Sequence, residues 1–320
     1  MPVKRRPRRG SLQFLPHKRA QRIYPRISFW GTSKDVKPLG FAGFKAGMTH
    51  IQTIDNNSKS PTKGKIITRP VTVIDAPSLF VCALRFYKKS PSLHVVSETW
   101  TDNIPKSLEL DRKTRAGKKN PAPEHFDDVR LLVCTQPQKS GMHKKKPDVF
   151  ELGVGGDHAA AKKQYGESVL GKELSAKDIF KPGEYVDVTA ITKGYGYMGS
   201  VKRYGIRIQG RKDKQMHRHV GALGSTTPRK VDWRVPQAGQ YGFFTRTEVS
   251  KRIILLDHDP THINPGGGFV NYGIVPQSFV LIEGSVPGTT KRLVFMRKAS
   301  RVSAVEPIDI RYISKTSAQG

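Results

Sequence analysis

Short alternating runs of apolar and polar positions dominate the chain, and most of them read as strands. Gly40-Phe-Ala-Gly-Phe-Lys-Ala-Gly-Met-Thr-His-Ile alternates small and apolar residues, and Thr68-Arg-Pro-Val-Thr-Val-Ile and Leu79-Phe-Val-Cys-Ala-Leu-Arg-Phe-Tyr are rich in β-branched and aromatic side chains. The β pattern holds from about 36 to 100, with turn chemistry at Asn56-Asn-Ser-Lys-Ser-Pro. It resumes at Val129-Arg-Leu-Leu-Val-Cys, Tyr185-Val-Asp-Val-Thr-Ala-Ile-Thr and Lys251-Arg-Ile-Ile-Leu-Leu. Further strands are expected at Gly268-Phe-Val-Asn-Tyr-Gly, Ser278-Phe-Val-Leu-Ile-Glu, Lys291-Arg-Leu-Val-Phe-Met and, shorter, Ile308-Asp-Ile-Arg-Tyr-Ile. Helical pattern is scarce. Ala159-Ala-Ala-Lys-Lys-Gln-Tyr reads as a short helix, and a second starts at Ser175, with Asp178 three residues on as in a capping box. Many short, turn-separated strands predict a mainly β, barrel-like body with inserted helices.

Two stretches do not fit such a body. Residues 1–34 carry ten Lys or Arg, no acid, and Pro2, Pro7, Pro16 and Pro25, which break regular helix. Leu12, Phe14, Leu15, Ile23, Tyr24, Phe29 and Trp30 are interleaved with those charges, and aromatics among cations suit stacking on RNA bases. Residues 193–240 are Gly-rich, basic and weakly periodic. Nearly fifty such residues inside a compact domain point to a functional arm that leaves the body and returns. Both segments are expected to be mobile in the free protein and to gain order from a polyanion. The resulting division is a basic extension over 1–35, a first part of the body over 36–192 with insertions at 101–125 and 157–181, the arm over 193–240, a second part of the body over 241–300, and a C-terminal segment over 301–320.

Charge decides what the arms meet. The 320 residues hold 56 Lys plus Arg against 26 acids, a formal +30, with 36% hydrophobic residues. Self-repulsion at that level opposes compaction unless a polyanion neutralises it. No apolar run approaches the roughly 18 residues that span a bilayer, and no basic amphipathic helix stands out, so nucleic acid is the expected partner. The start has no apolar stretch after its charges and does not read as a secretory signal. Cys82 and Cys134, the only cysteines, sit in strand-like apolar contexts and read as core thiols of an intracellular protein.

Candidate catalytic chemistry is thin. Gly194-Tyr-Gly196-Tyr-Met-Gly199 matches a dinucleotide fingerprint after a strand, but the residues beyond Gly199 carry cations and no apolar helical stripe. Close backbone approach to phosphate, with Lys193, Lys202 and Arg203 supplying charge, is the better reading. His217-Arg-His219 has no third metal ligand near it. Asp257-His-Asp-Pro-Thr-His262 reads as a polar turn. Two rivals remain open: an RNA-modifying enzyme with basic arms, for which no convergent acid, base or nucleophile is found, and a nicotinamide-dependent oxidoreductase built on the Gly motif.

Four segments resemble the universal ribosomal protein L3 family: Gly43-Phe-Lys-Ala-Gly-Met-Thr-His, the run from Val186 to Gly199, Gln237-Ala-Gly-Gln-Tyr-Gly-Phe-Phe-Thr-Arg-Thr-Glu, and Ile263-Asn-Pro-Gly-Gly-Gly-Phe-Val-Asn-Tyr-Gly. Arg9-Gly-Ser-Leu-Gln-Phe-Leu-Pro-His-Lys-Arg is similar to the archaeal and eukaryotic branch, and the length favours an archaeal type. The resemblance implies a translation-protein-type β-barrel with a long basic internal arm and an extended N-terminal tail. It implies a structural, non-enzymatic role on large-subunit rRNA beside neighbouring ribosomal proteins in the cytoplasmic ribosome. It further implies assembly of that RNA and support of the peptidyl-transferase centre, with no cofactor, metal, membrane or homo-oligomer. Where the family commonly carries an arm-tip Trp this chain has Thr226, and Trp233 follows. The expected RNA-binding residues are Lys4, Arg5, Arg6, Arg8, Arg9, Lys18, Arg19 and Arg22 in the tail. In and after the arm they are Lys193, Gly194, Gly196, Gly199, Lys202, Arg203, Arg207, Arg211, Lys212, Lys214, His217, Arg218, Arg229, Lys230, Trp233, Arg234 and Arg246.

Overall fold

The computed structural model describes residues 9–56, 60–105, 108, 122–227, 229–302, 305 and 308–317. The protein is mainly β. Two compact units emerge: residues 24–190 with 247–320, and residues 1–23 with 191–246. In the larger unit, β1 (Gly40–Ile54), β2 (Ile66–Asp75), β8 (Tyr185–Ile191), β11 (Thr245–Asp257), β12 (Phe279–Glu283), β13 (Leu293–Lys298) and β14 (Ile310–Ile313) form one sheet. Its order is β13-β8-β11-β12-β2-β1-β14, and β13 also pairs with β1. The hydrogen-bonded path therefore returns to its start.

The closure is written into β1. Its first residues pair antiparallel with β13, from Gly40 opposite Arg297 to Phe44 opposite Leu293. From Phe44 onward it pairs with β2, with a register shift between Lys45 and Gly47. Its end also meets β14. Such a bulge bends and twists a strand, which lets one long strand serve two sides of a curved sheet. The apolar alternation seals the interior: Phe41, Phe44, Ile51, Val71, Val73, Val188, Phe279 and Phe295 are all fully buried.

A second sheet runs β4-β3-β5-β6, with β7 added on β3. These strands are β3 (Leu79–Lys89), β4 (Leu93–Trp100), β5 (Asp128–Cys134), β6 (Val149–Gly153) and β7 (Glu173–Leu174). Helix α1 (Ala159–Val169) packs over β5 and β3. Helix α2 (Ala176–Ile179) has the expected capping box, Ser175 Oγ accepting from Lys177 N and Asp178 accepting from Ser175 N. Cys82 and Cys134 are buried free thiols with their Sγ atoms 3.1 Å apart. The neighbouring Cys82 thiol and burial together push the Cys134 thiol far up. Residues 57–59 of the expected turn and most of the polar insertion at 101–125 lie outside the described residues.

Two expectations need correction. The strand at 268–273 is a tight loop: Phe269 and Gly273 bond to each other, and Gly267, Gly268, Asn271 and Gly273 all have positive φ. Four left-handed positions within seven residues turn the backbone too sharply for an extended strand. The aromatic content of the tail is also not all available for RNA. Trp30 is buried, and Tyr24 packs near Phe150 and Phe295, which meet edge-to-face at 4.5 Å. A Cβ on Gly40 would lie 2.8 Å from the Trp30 ring, and one on Gly153 would lie 2.5 Å from it. Two glycines thus shape the slot that takes the indole. Ile23 and Phe29 stay largely exposed.

Two buried carboxylates anchor the larger unit. Asp187, on β8, is fully buried and accepts from Arg297, Ser250 N and the Ser300 N–H and hydroxyl. Removing one partner of a buried ion pair leaves the other charge uncompensated. Asp187→Ala is therefore expected to destabilise the protein by about 3–5 kcal/mol in denaturant melts. Asp75 accepts from the Tyr272 hydroxyl at 2.5 Å and from Gly141 N at 3.1 Å. Burial nevertheless outweighs these bonds and pushes its carboxyl up to about 6, from 3.8. A raised folded-state value means that stability is highest below about pH 4 for this group and is lost as pH rises through 6. At about 1.36 kcal/mol per unit the loss is at most about 3 kcal/mol. Asp75→Asn should abolish that slope between pH 4 and 7, read by melts across the range; an unchanged slope would assign it elsewhere.

Candidate nucleic-acid interface

The smaller unit is where the charge concentrates. Residues 1–23 and 191–246 contain 20 Lys or Arg and two acids, Asp213 and Asp232. The Gly-rich segment is not structureless throughout. Strands β9 (Gly194–Met198) and β10 (Gly239–Gly242) pair antiparallel, and a short helix, α3 (Ser200–Tyr204), follows β9. A helix does follow the Gly motif, contrary to expectation, but it is five residues long and the ladder before it is antiparallel. The dinucleotide arrangement needs a parallel sheet and a packed helix. Residues 205–238 contain no strand or helix among the described residues.

The base of the arm is tied by backbone groups and stacked rings. Thr192 N donates to Phe244 O and Phe243 N to Lys193 O. Arg203 donates to Gln240 O at 3.1 Å and to Gln237 O at 2.9 Å while lying over Tyr204. The tail joins this base: Ala20 N donates to Phe243 O, His17 stacks on Phe244 at 5.4 Å, and Ser11 caps a 3-10 turn at Leu12–Phe14. Arg246 donates to Phe14 O at 2.6 Å and lies over Phe244, and burial lowers its pKa. Arg203 and Arg246 therefore carry structural ties as well as charge.

The other expected residues divide by location. Lys4, Arg5, Arg6 and Arg8 lie outside the described residues. Arg9, Lys18, Arg19 and Arg22 belong to the described part of the tail, with Arg19 over the Phe243 ring. Lys193 and Lys202 approach the Tyr195 ring at 5.9 and 5.7 Å. Arg207, Arg211, Lys212, Lys214, Arg218, Arg229 and Lys230 lie along the ladder-free stretch 205–238. His217 is held in a turn by Gly210 O at 3.0 Å. Trp233 is 68% exposed with Arg234 5.7 Å from its ring. Arg234 N is held by Asp232.

Sequence reasoning missed an aromatic platform. Tyr195 stacks on Tyr241 at 5.2 Å, and Tyr197 is 78% exposed. The Gly194-Tyr-Gly-Tyr alternation was a signal for strand, although the left-handed Gly196 interrupts the regular pleat between the two tyrosines. An exposed aromatic flanked by cations is suited to stacking bases while neutralising phosphates. Among the described residues no His, Cys, Asp and Glu group could hold a metal. The Asp257–His262 stretch is a local turn, with Asp259 capping it and His262 bonded to Asp257 at 3.0 Å.

The three glycines of the motif are not equivalent. Gly196 has φ +68°, whereas Gly199 has φ −66° with open space around its Cβ position. A left-handed position costs a residue with a Cβ about 1–2 kcal/mol. Gly196→Ala should lower the melting temperature, and Gly199→Ala should leave it near wild type. Equal melting of both variants would contradict this assignment.

The family model for "Ribosomal protein L3" matches residues 1–122 and 119–320. The chain is 46% identical to large ribosomal subunit protein uL3 of Methanopyrus kandleri, over 98% of this chain and 92% of that protein. It is 44% identical to the protein of that name from Archaeoglobus fulgidus and 41% identical to that of Methanocaldococcus jannaschii, each over 98% of both chains. With the family model covering the chain from its first residue to its last, and archaeal relatives aligned over nearly their whole length, the chain belongs to the ribosomal protein L3 family.

Proposed function

We propose that the protein is a structural rRNA-binding component of the large ribosomal subunit, working in the cytoplasmic ribosome and catalysing no reaction itself. The observation that carries this reading is the partition of charge. The smaller unit has 20 cations against two acids in 79 residues, while the remaining 241 residues carry 36 against 24. A uniformly basic protein would suit nonspecific solubility. A nearly acid-free unit with exposed aromatics suits insertion among RNA phosphates and bases. The larger unit supplies the packed body, and the arm and tail supply the contacts that organise the RNA during assembly and buttress the peptidyl-transferase centre. Residues 205–238, which have no ladder or helix of their own among the described residues, gain their order from that RNA.

The test is the salt dependence of binding to large-subunit rRNA. Neutralising on the order of ten phosphates should cost several decades of affinity between roughly 50 and 200 mM salt. Replacing Arg211, Lys212 and Lys214 by Gln should reduce the slope of log affinity against log salt by about one for each phosphate left unneutralised. A nearly flat slope in the wild-type protein would overturn the electrostatic account.

A further inference from the structure

We propose that a cavity inside the smaller unit receives one unpaired nucleobase of the rRNA, with a base edge that donates N–H groups. The inference rests on the RNA-binding reading and adds a specific site to it. The cavity has a volume of about 380 Å³, within the roughly 300–1,000 Å³ range of small-ligand pockets. Its walls come from the tail (Gly10 to His17), from α3 and from residues 231–238 of the arm.

Three features of the lining specify the ligand. The first is aromatic surface. His17, Tyr204 and Trp233 all line the cavity, with the His17 and Tyr204 ring centroids 6.2 Å apart. His17 already stacks on Phe244 and Arg203 lies over Tyr204, so Trp233, 68% exposed, offers the widest ring surface for a base to stack on. The second is rigidity. Arg203 is fixed by Gln237 O and Gln240 O and lies 5.0 Å from the Tyr204 ring, so α3 and the strand entry hold the wall in place. A Cβ at Gly10 would sit 2.8 Å from Tyr204, so the tail passes the ring at closest approach. The third is charge. The unit has only two acids, and one of them, Asp232, is the only acid among the lining residues. A carboxylate repels phosphate and accepts from amino and imino groups. Asp232 Oδ1 already accepts from Arg234 N at 2.8 Å and lies 3.8 Å from Arg234 Nε, which leaves Oδ2 as the acceptor on one wall of an otherwise cationic unit. Guanine, with adjoining N1–H and N2–H groups, fits such an acceptor best. Unpaired bases in RNA loops are splayed out in the way such a pocket requires.

The full-length protein bound to large-subunit rRNA is irradiated with short-wavelength ultraviolet light, and nucleotide adducts are mapped by mass spectrometry. A single nucleotide should attach at His17, Tyr204 or Trp233. Ala238→Trp, which fills the cavity from its lining, should abolish that adduct and weaken RNA binding about tenfold, the scale of one stacked base. The salt slope should not change, because no phosphate contact is removed. Val231→Trp fills the same space from another residue and should behave alike, which guards against one variant failing to fold. If the wild type binds RNA with a steep salt slope but gives no adduct at these residues, or if both fillers bind as wild type does, the pocket is overturned and the RNA-binding reading stands. If the wild type does not bind rRNA, both fall. Guanosine monophosphate offered alone should label the three residues only weakly; saturable labelling by it without any adduct from rRNA would make the cavity a small-ligand site and overturn the RNA assignment.

Discussion

Strand β1 is hydrogen-bonded to β13, β2 and β14 along its 15 residues, and the larger unit depends on that shared strand. Without the register shift near Ala46 it would run straight beside β2 alone, and β13 would be left as an open edge at the far end of the sheet. Unpaired edges invite pairing with other chains. With the shift, both edges meet on β1 and the apolar faces of the strands turn inward together. The loop at 263–275 belongs to the same arrangement. Its Phe269 ring covers Gly47 beside the bulge, and its Tyr272 reaches Asp75 at the end of β2.

The second organising constraint is electrostatic and acts in the opposite sense. The larger unit has acids to pair with its cations: Arg69 and Arg252 share Glu283, and Arg85 and Arg130 share Glu151. The smaller unit has too few acids for such pairing. Its cations instead lie over rings, as Lys193 and Lys202 do at Tyr195, or bond to carbonyls, as Arg203 and Arg246 do. Those arrangements keep the positive charge uncancelled. A unit built this way holds its shape without consuming the charge that an RNA partner needs.

The strands of the body were legible because both of their determinants are local. The apolar runs at 79–87, 129–134, 185–191 and 279–283 are strands in the structure. The capping box at Ser175 was legible for the same reason, since its two hydrogen bonds lie within four residues. The loop at 268–273 was misread because β-branched and aromatic residues there mimic a strand, while the left-handed φ of Asn271 is invisible in composition. Strands β9 and β10 were missed because glycine depresses every propensity, although their pairing is fixed by backbone bonds across roughly 40 residues of sequence. Trp30 was misassigned for a longer-range reason: its slot is made by Gly40 and Gly153, which no local pattern connects. At the candidate interface the positions of the cations were legible, but the structural work of Arg203 and Arg246 depended on carbonyls far away in sequence.

The Trp30 slot also sets an order of events. One of its glycines belongs to β1 and the other to β6, so the indole rivets two different sheets. The adjacent Phe29 carbonyl is held by Arg297, on β13. Phe29 and Trp30, made ahead of β1, are consequently among the last residues to be locked, because the chain must be synthesised through β13 before their anchor is complete. Until then a nearly acid-free basic stretch trails from an unfinished body.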